Sequence, residues 1–370
     1  MKNTYVRILS LFAFGFVLFS CNNDDKLDNQ SYLPEGPQTT ESEVDEYLYK
    51  TFTEPYNMRV HYKWDRNIYG STTDNTRNLN PPRKENVIPA FEMVNHVWLK
   101  TYDSVAGKQF VKDLRPMSLL AAGGYAFNEN GTRTLGLASG GVQITLYEVD
   151  YLRTNVESAK EFIHTIQHEY IHIINQKEEF NQPNFGKMNL GDYTPSWYQL
   201  ETTLDPRRPS KKLQQNGEDW NINAYANVLG FVTGYSRSNI IEDFAEVASY
   251  YLTTKPEDVT KMLDQVRSYE NMTQAERDRY GLTVDIYKPG GVQKILYKYE
   301  LVKEYFWSKF KIDFEELVRV ANLNAASSPM LNGGVTNTIT FEKKTYKTSF
   351  VTEDVVRHCQ LHADVELQLK

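Results

Sequence analysis

The sequence predicts an α+β protein, with a small mixed α/β N-terminal part over residues 43–150 and a mainly helical part over 151–370. Three observations carry this. Short β-rich runs with glycine turns are confined to the first part. From about residue 154 the apolar residues recur with a helical period. The chain of 370 residues, 40% hydrophobic and 24% charged, is long enough to bury one large core.

In chain order, "SEVDEYLYKTF" reads as a short helix and "NMRVHYKW" as a strand. "NVIPAFEMVNHVWLKTY" reads as a helix interrupted early by Pro89. "RPMSLLAAGGYAF" and "TRTLGLASGGVQITLYEV" read as strand-rich. Helices follow over about 155–177, 240–253, 255–269, 291–310 and 313–324, with a loop-rich stretch over 178–222. Thr154 and Glu157 form a capping-box pattern at the first of these helices. No internal repeat and no low-complexity block interrupts this order.

The N-terminus stands apart. Lys2 and Arg7 precede the apolar run Ile8 to Phe19, which is too short to span a bilayer comfortably and reads as a signal peptide over residues 1–20. It ends in "LFSC". That resembles a bacterial lipobox, with Cys21 as the lipidated first residue of the mature chain. Residues 21–42 are polar, with Pro34, Gly36 and Pro37, and read as a flexible tether before a domain over 43–370. Asp24 and Asp25 resemble the surface-export signal of Bacteroidota lipoproteins. The chain has two cysteines, so lipidation of Cys21 leaves Cys359 without an intramolecular partner. Any metal site must then use histidines and carboxylates. A net charge of −7 gives no global signal for nucleic acid.

The segment "HTIQHEYIHIIN", residues 164–175, holds three of seven histidines. At about 100° per residue, His164 and His172 fall within about 40° of His168, while Phe162, Ile166, Tyr170, Ile173 and Ile174 take the opposite face. The i, i+4 spacing lets His168 and His172 meet one Zn²⁺. Glu169 lies about 100° round, close enough to take a proton from an activated water without being a ligand. His164 reads as a cleft-lining or exposed histidine.

A catalytic zinc usually has a third protein ligand. In "NIIEDFAEVASYYL", residues 239–252, Glu242 and Glu246 share one face, with Ile240, Phe244, Val247, Ala248 and Tyr251 opposite. Glu242 is the first choice for ligand, with Asp243 and Glu246 as alternatives. Glu242 could instead complete a capping box with Asn239, a role that competes with metal binding. Glu246 is expected behind a ligand histidine, on its other nitrogen.

Tyr235, His168-Glu169-x-x-His172 and the spacing Tyr-x6-Glu-x3-Glu resemble the active site of the anthrax lethal factor metallopeptidase domain, a gluzincin. That resemblance implies a zincin-like fold, one Zn²⁺ and Tyr235 as oxyanion donor. The lipobox, "TIQHEYIHIINQ", "EDFAE" and "GGVQITLYEVDYL" are similar to the zinc-binding metallopeptidase lipoproteins of Bacteroidota, known as substrate-import-associated zinc metallohydrolases. This second resemblance implies an outer-membrane lipoprotein, surface-exposed or periplasm-facing, near a TonB-dependent transporter and its substrate-binding lipoprotein. In zincins an edge strand beside the active-site helix pairs with an extended substrate. Residues 140–149 are the candidate, with Gly140, Gly141, Val142 and Gln143 contacting a peptide; an ordinary internal strand is the alternative reading. The expected activity is zinc-dependent hydrolysis of peptide or related amide bonds. The alternative is a zinc-containing accessory lipoprotein that binds substrate without turnover.

Overall fold

The computed structural model describes residues 42–65, 80–128, 133–139, 142–198, 214–215, 218–219, 222–276 and 290–333. Contacts group the described residues from 46 onward into one compact unit. Cys21, Gly140 and Gly141 lie outside the described residues.

The first helical stretch runs from α1 (Glu43–Leu48) through a π-turn, Tyr49–Thr53, to α2 (Glu54–Tyr56). Of the run expected as the first strand, only β1 (Arg59–His61) is extended. The next helix, α3 (Lys84–Val94), contains Pro89 without being interrupted there. Pro89 is the sixth residue of α3, so it removes one hydrogen bond near the N-terminal end. The ladder instead widens downstream, in a π-turn over Asn95–Leu99, before α4 (Lys100–Val105) and α5 (Lys108–Leu114).

Four strands make the main sheet: β1, β2 (Ser118–Ala121), β6 (Gln143–Leu146) and β5 (Gly136–Ser139), in that order. The first three run parallel and β5 closes one edge antiparallel to β6. β2 carries the continuous apolar residues Leu119, Leu120 and Ala121, as burial on both faces requires, while β6 buries Ile144 and Leu146 with Thr145 between them. A separate two-stranded ribbon pairs β3 (Ala126–Phe127) with β4 (Arg133–Thr134).

The edge strand is therefore Gly136–Ser139. The strand within the 140–149 candidate, Gln143–Leu146, is an inner strand whose two edges are both paired, so Gln143 has no free backbone edge for a peptide. Val142 is exposed, but its carbonyl already accepts from the N–H groups of Met117 and Ser118. β5 pairs antiparallel with one side of β6 and β2 takes the other, which leaves β5 at the edge.

The helical part is built on α6 (Val156–Lys177), which packs along α9 (Ile240–Thr253). Asn155, not Thr154, caps α6, with its side chain accepting from the N–H groups of Glu157 and Ser158. The apolar stripe of α6 is buried as expected. Tyr170 meets Trp98 and Tyr102 edge-on, with ring centroids 5.1 and 5.0 Å away. On α9, Phe244 stacks on Phe180 at 4.1 Å and touches Phe185 of α7 (Gln182–Gly186). Each such fully buried side chain contributes roughly 1.5–3 kcal/mol. The remaining helices are α8 (Ile222–Leu229), α10 (Pro256–Glu270), α11 (Gly291–Phe310) and α12 (Phe314–Ser327). Among the described residues no helix is long and apolar enough to cross a membrane.

Candidate metal centre

The histidine face of α6 turns toward the glutamate face of α9. His168 Nε2, His172 Nε2 and Glu242 Oε2 form a triangle with every side 3.0 Å. Two imidazole nitrogens and a carboxylate oxygen converging this closely suit one divalent cation. Tetrahedral ligands at about 2.0–2.1 Å from Zn²⁺ lie about 3.3 Å apart. His168 is buried, while His172 and Glu242 are partly exposed, so one side of the triangle stays open to solvent.

Asn239 caps α9 with its own side chain, accepting from Ile241 N–H and Glu242 N–H. The Glu242 carboxylate is turned instead to the histidines, which resolves the competition between capping and ligation. Burial works against ionisation of Glu242, but the hydrogen bonds and charges of His168 and His172 outweigh it and hold the carboxyl well below the usual range. His168 shows the reciprocal effect. Burial alone would lower it, yet Glu242 and Glu246 push it up to about 10.

Glu246 is not part of that triangle. Its Oε1 lies 2.8 Å from His168 Nδ1, the nitrogen that faces away from Glu242, and 2.9 Å from His164 Nε2. Its Oε2 accepts from the Thr233 hydroxyl at 2.5 Å. His164, His168 and Glu246 could form a second group of ligands, but those distances are of hydrogen-bond length. His164 is thus neither exposed nor simply lining the cleft: its ring is half-buried and both nitrogens are engaged.

Asp243, the other alternative ligand, points into the core. It pairs with the fully buried Lys298 ammonium at 2.6 Å and accepts from the Tyr193 hydroxyl at 2.8 Å. Lys298 also donates to Gly230 O at 2.9 Å, which ties α9 to the loop before Tyr235. The sequence gives no periodic signal for this pair, because an isolated lysine in α11 reads as a solvated one.

Glu169 is turned toward the sheet. Its Oε2 accepts from the backbone N–H of Ala138 in the edge strand at 2.7 Å. Tyr235 opens a short 3-10 turn, Tyr235–Arg237, just before α9. Its ring centroid lies 5.7 Å from that of His168 and 5.1 Å from that of Trp197, which meets it edge-on. Partial burial first, then the negative charge of Glu242, Glu169 and Glu246, pushes the phenol above its ordinary range, so it remains a hydrogen-bond donor. Trp197 had no sequence signal. It reaches the site because Thr194 N–H donates to Arg237 O at 2.7 Å and fixes that loop beside the Tyr235 turn.

Residues 37–315 match the model of a family described as "Putative zinc-binding metallo-peptidase". A crystal structure of a putative zinc-binding metallo-peptidase from Bacteroides caccae ATCC 43185 is similar, with 25% identity, a TM-score of 0.56, and coverage of 80% of this chain and 96% of that one. No curated protein matches the chain. Because the family match spans most of the sequence and includes the helices that carry His168, His172 and Glu242, the chain belongs to this zinc-binding metallo-peptidase family.

Proposed function

We propose that the protein is a gluzincin-type hydrolase of peptide or related amide bonds, with one zinc held by His168, His172 and Glu242. When bound, zinc supplies a Lewis acid that polarises the carbonyl and lowers the pKa of water. The observation that carries the reading is Glu169. It lies beside the triangle, it is not part of it, and Ala138 aims one of its oxygens. A carboxylate in that position accepts the proton of the attacking water and returns it to the leaving amine. The Tyr235 hydroxyl donates to the oxygen on which charge develops. The edge strand β5 bonds to β6 through alternate residues, with Leu135 O accepting from Tyr147 N–H. This leaves the Gly136 backbone and the Ala138 carbonyl on the free side, where an extended peptide can align, while the Ala138 N–H is held by Glu169.

The cellular setting follows from the N-terminal sequence and is also proposed. Lipidation of Cys21 would anchor the protein to the outer membrane, near a TonB-dependent transporter and its substrate-binding lipoprotein, with peptides or proteins as substrates. A Cys21→Ser variant that stays in the membrane fraction would exclude the lipid anchor.

The activity is tested by presenting a diverse peptide library to the zinc-loaded protein lacking residues 1–20, beside Glu169→Gln. Cleavage that falls about 10²–10⁴-fold in the variant at unchanged zinc content is the expected result. Bound zinc without cleavage by either protein would overturn the hydrolase reading in favour of a binding role.

A further inference from the structure

We propose that His164 is a positioning residue of the metal centre, holding the Glu246 carboxylate that in turn orients His168. The proposal rests on His168, His172 and Glu242 being the ligands. It does not depend on turnover.

His164 lies one helical turn before His168 on the same face of α6. Both of its ring nitrogens have partners. Nε2 is 2.9 Å from Glu246 Oε1, and Nδ1 is 3.2 Å from Thr253 Oγ1. The Thr253 hydroxyl donates to Ser249 O at 2.7 Å, so its oxygen faces His164 as an acceptor. The ring is thereby fixed between two points of α9, about two helical turns apart, and is directed at the glutamate.

Glu246 is only 4% exposed, so water contributes little to holding it. A carboxylate rotates about its side-chain bonds unless several partners fix it. Here Thr233 holds one oxygen, and His164 holds the same oxygen that lies 2.8 Å from His168 Nδ1. Partners of a ligand histidine set its tautomer and ring orientation, and losing one typically lowers metal affinity 10–100-fold. His164 extends that support by one more residue. The chain Thr253–His164–Glu246–His168 then leads from the end of α9 to the metal, and the working motif becomes His-x-x-x-His-Glu-x-x-His.

The test is zinc affinity, measured by competition with a chromophoric chelator, together with the thermal midpoint of each zinc-free variant. His164→Ala is expected to weaken zinc binding about 10-fold or more. His164→Gln, whose amide N–H can occupy the place of Nε2, is expected to restore most of it. In a Glu246→Gln background His164→Ala should cause no further loss, because its effect passes through Glu246. Thr253→Val, which removes the outer partner and leaves the rest intact, should give a smaller loss in the same direction. Unchanged zinc affinity in His164→Ala would overturn the proposal, as would an equal loss in the Glu246→Gln background. So would two zinc ions per wild-type chain, which would make His164 and Glu246 ligands themselves. A wild-type chain that binds no zinc would overturn it together with the metal centre. Tight zinc binding without peptide cleavage would leave this proposal standing and remove only the hydrolase reading.

Discussion

The backbone N–H of Ala138 donates to Glu169 Oε2 across 2.7 Å, joining the edge strand to the helix that carries both histidines. The approach is this close because residue 136 is glycine. A Cβ there would fall inside van der Waals contact with Thr165 Cγ2 and within 3.4 Å of Glu169 Cγ. Gly136→Ala is therefore expected to push β5 off α6, cost about 1–3 kcal/mol, and reduce kcat while zinc content stays unchanged. Thr165→Ala removes the clashing methyl, so the double variant should regain much of the lost rate. Full activity in Gly136→Ala alone would show that Glu169 does not depend on the strand.

Zinc uptake should release a proton. In the metal-free site burial opposes a charge on His168, but Glu242 and Glu246 raise it to about 10, so it is protonated at pH 8. A ligand histidine must be neutral. Calorimetric titration with zinc at pH 8, in buffers of different ionisation enthalpy, is expected to show about one proton released per zinc. Heats independent of the buffer would contradict that charge assignment.

Tyr235 and Trp197 should act together. Tyr235→Phe removes the hydroxyl and is expected to lower kcat about 10²–10³-fold with KM and zinc affinity little changed. The Trp197 ring packs edge-on against Tyr235, with ring centroids 5.1 Å apart. Trp197→Ala should lower kcat less, and should have almost no effect when added to Tyr235→Phe. Additive losses would mean that the indole contacts substrate directly instead.

Glu148 predicts a pH dependence of stability away from the metal. It is 2% exposed, sits at φ 67°, and has Arg133 Nε 3.1 Å from its Oε1. Burial raises its carboxyl to about 7, Arg133 opposes this, and Glu161 adds to it. A carboxyl raised on folding gives its full stabilisation below its unfolded value, near 4.5, and loses it as pH rises through about 7. Glu148→Gln should therefore be more stable than wild type at pH 8 by up to about 3 kcal/mol, with the difference shrinking toward pH 5. Denaturant unfolding at both pH values measures it. An equal difference at both would assign the effect to packing.

Local pattern was enough to reveal much of the site. The i, i+4 histidines, the amphipathic phase of two helices and the Tyr-to-Glu spacing are properties of neighbours along one chain segment. Helical geometry turns such spacings directly into shared faces. The sequence by itself therefore determined the helical second part and the shared faces of His168 with His172 and of Glu242 with Glu246, while leaving Asp243 and Glu246 open as alternatives to Glu242. Residues that depend on contacts between distant segments were not legible. Which of β5 and β6 lies at the sheet edge depends on β2 pairing with β6, 25 residues away in register. The Asp243–Lys298 pair, the Trp197 contact with Tyr235, and the placing of His164 between Glu246 and Thr253 arise only when helices far apart in sequence pack together. No periodicity encodes such pairs, because a periodicity states which way a side chain faces along its own helix and not what it meets there.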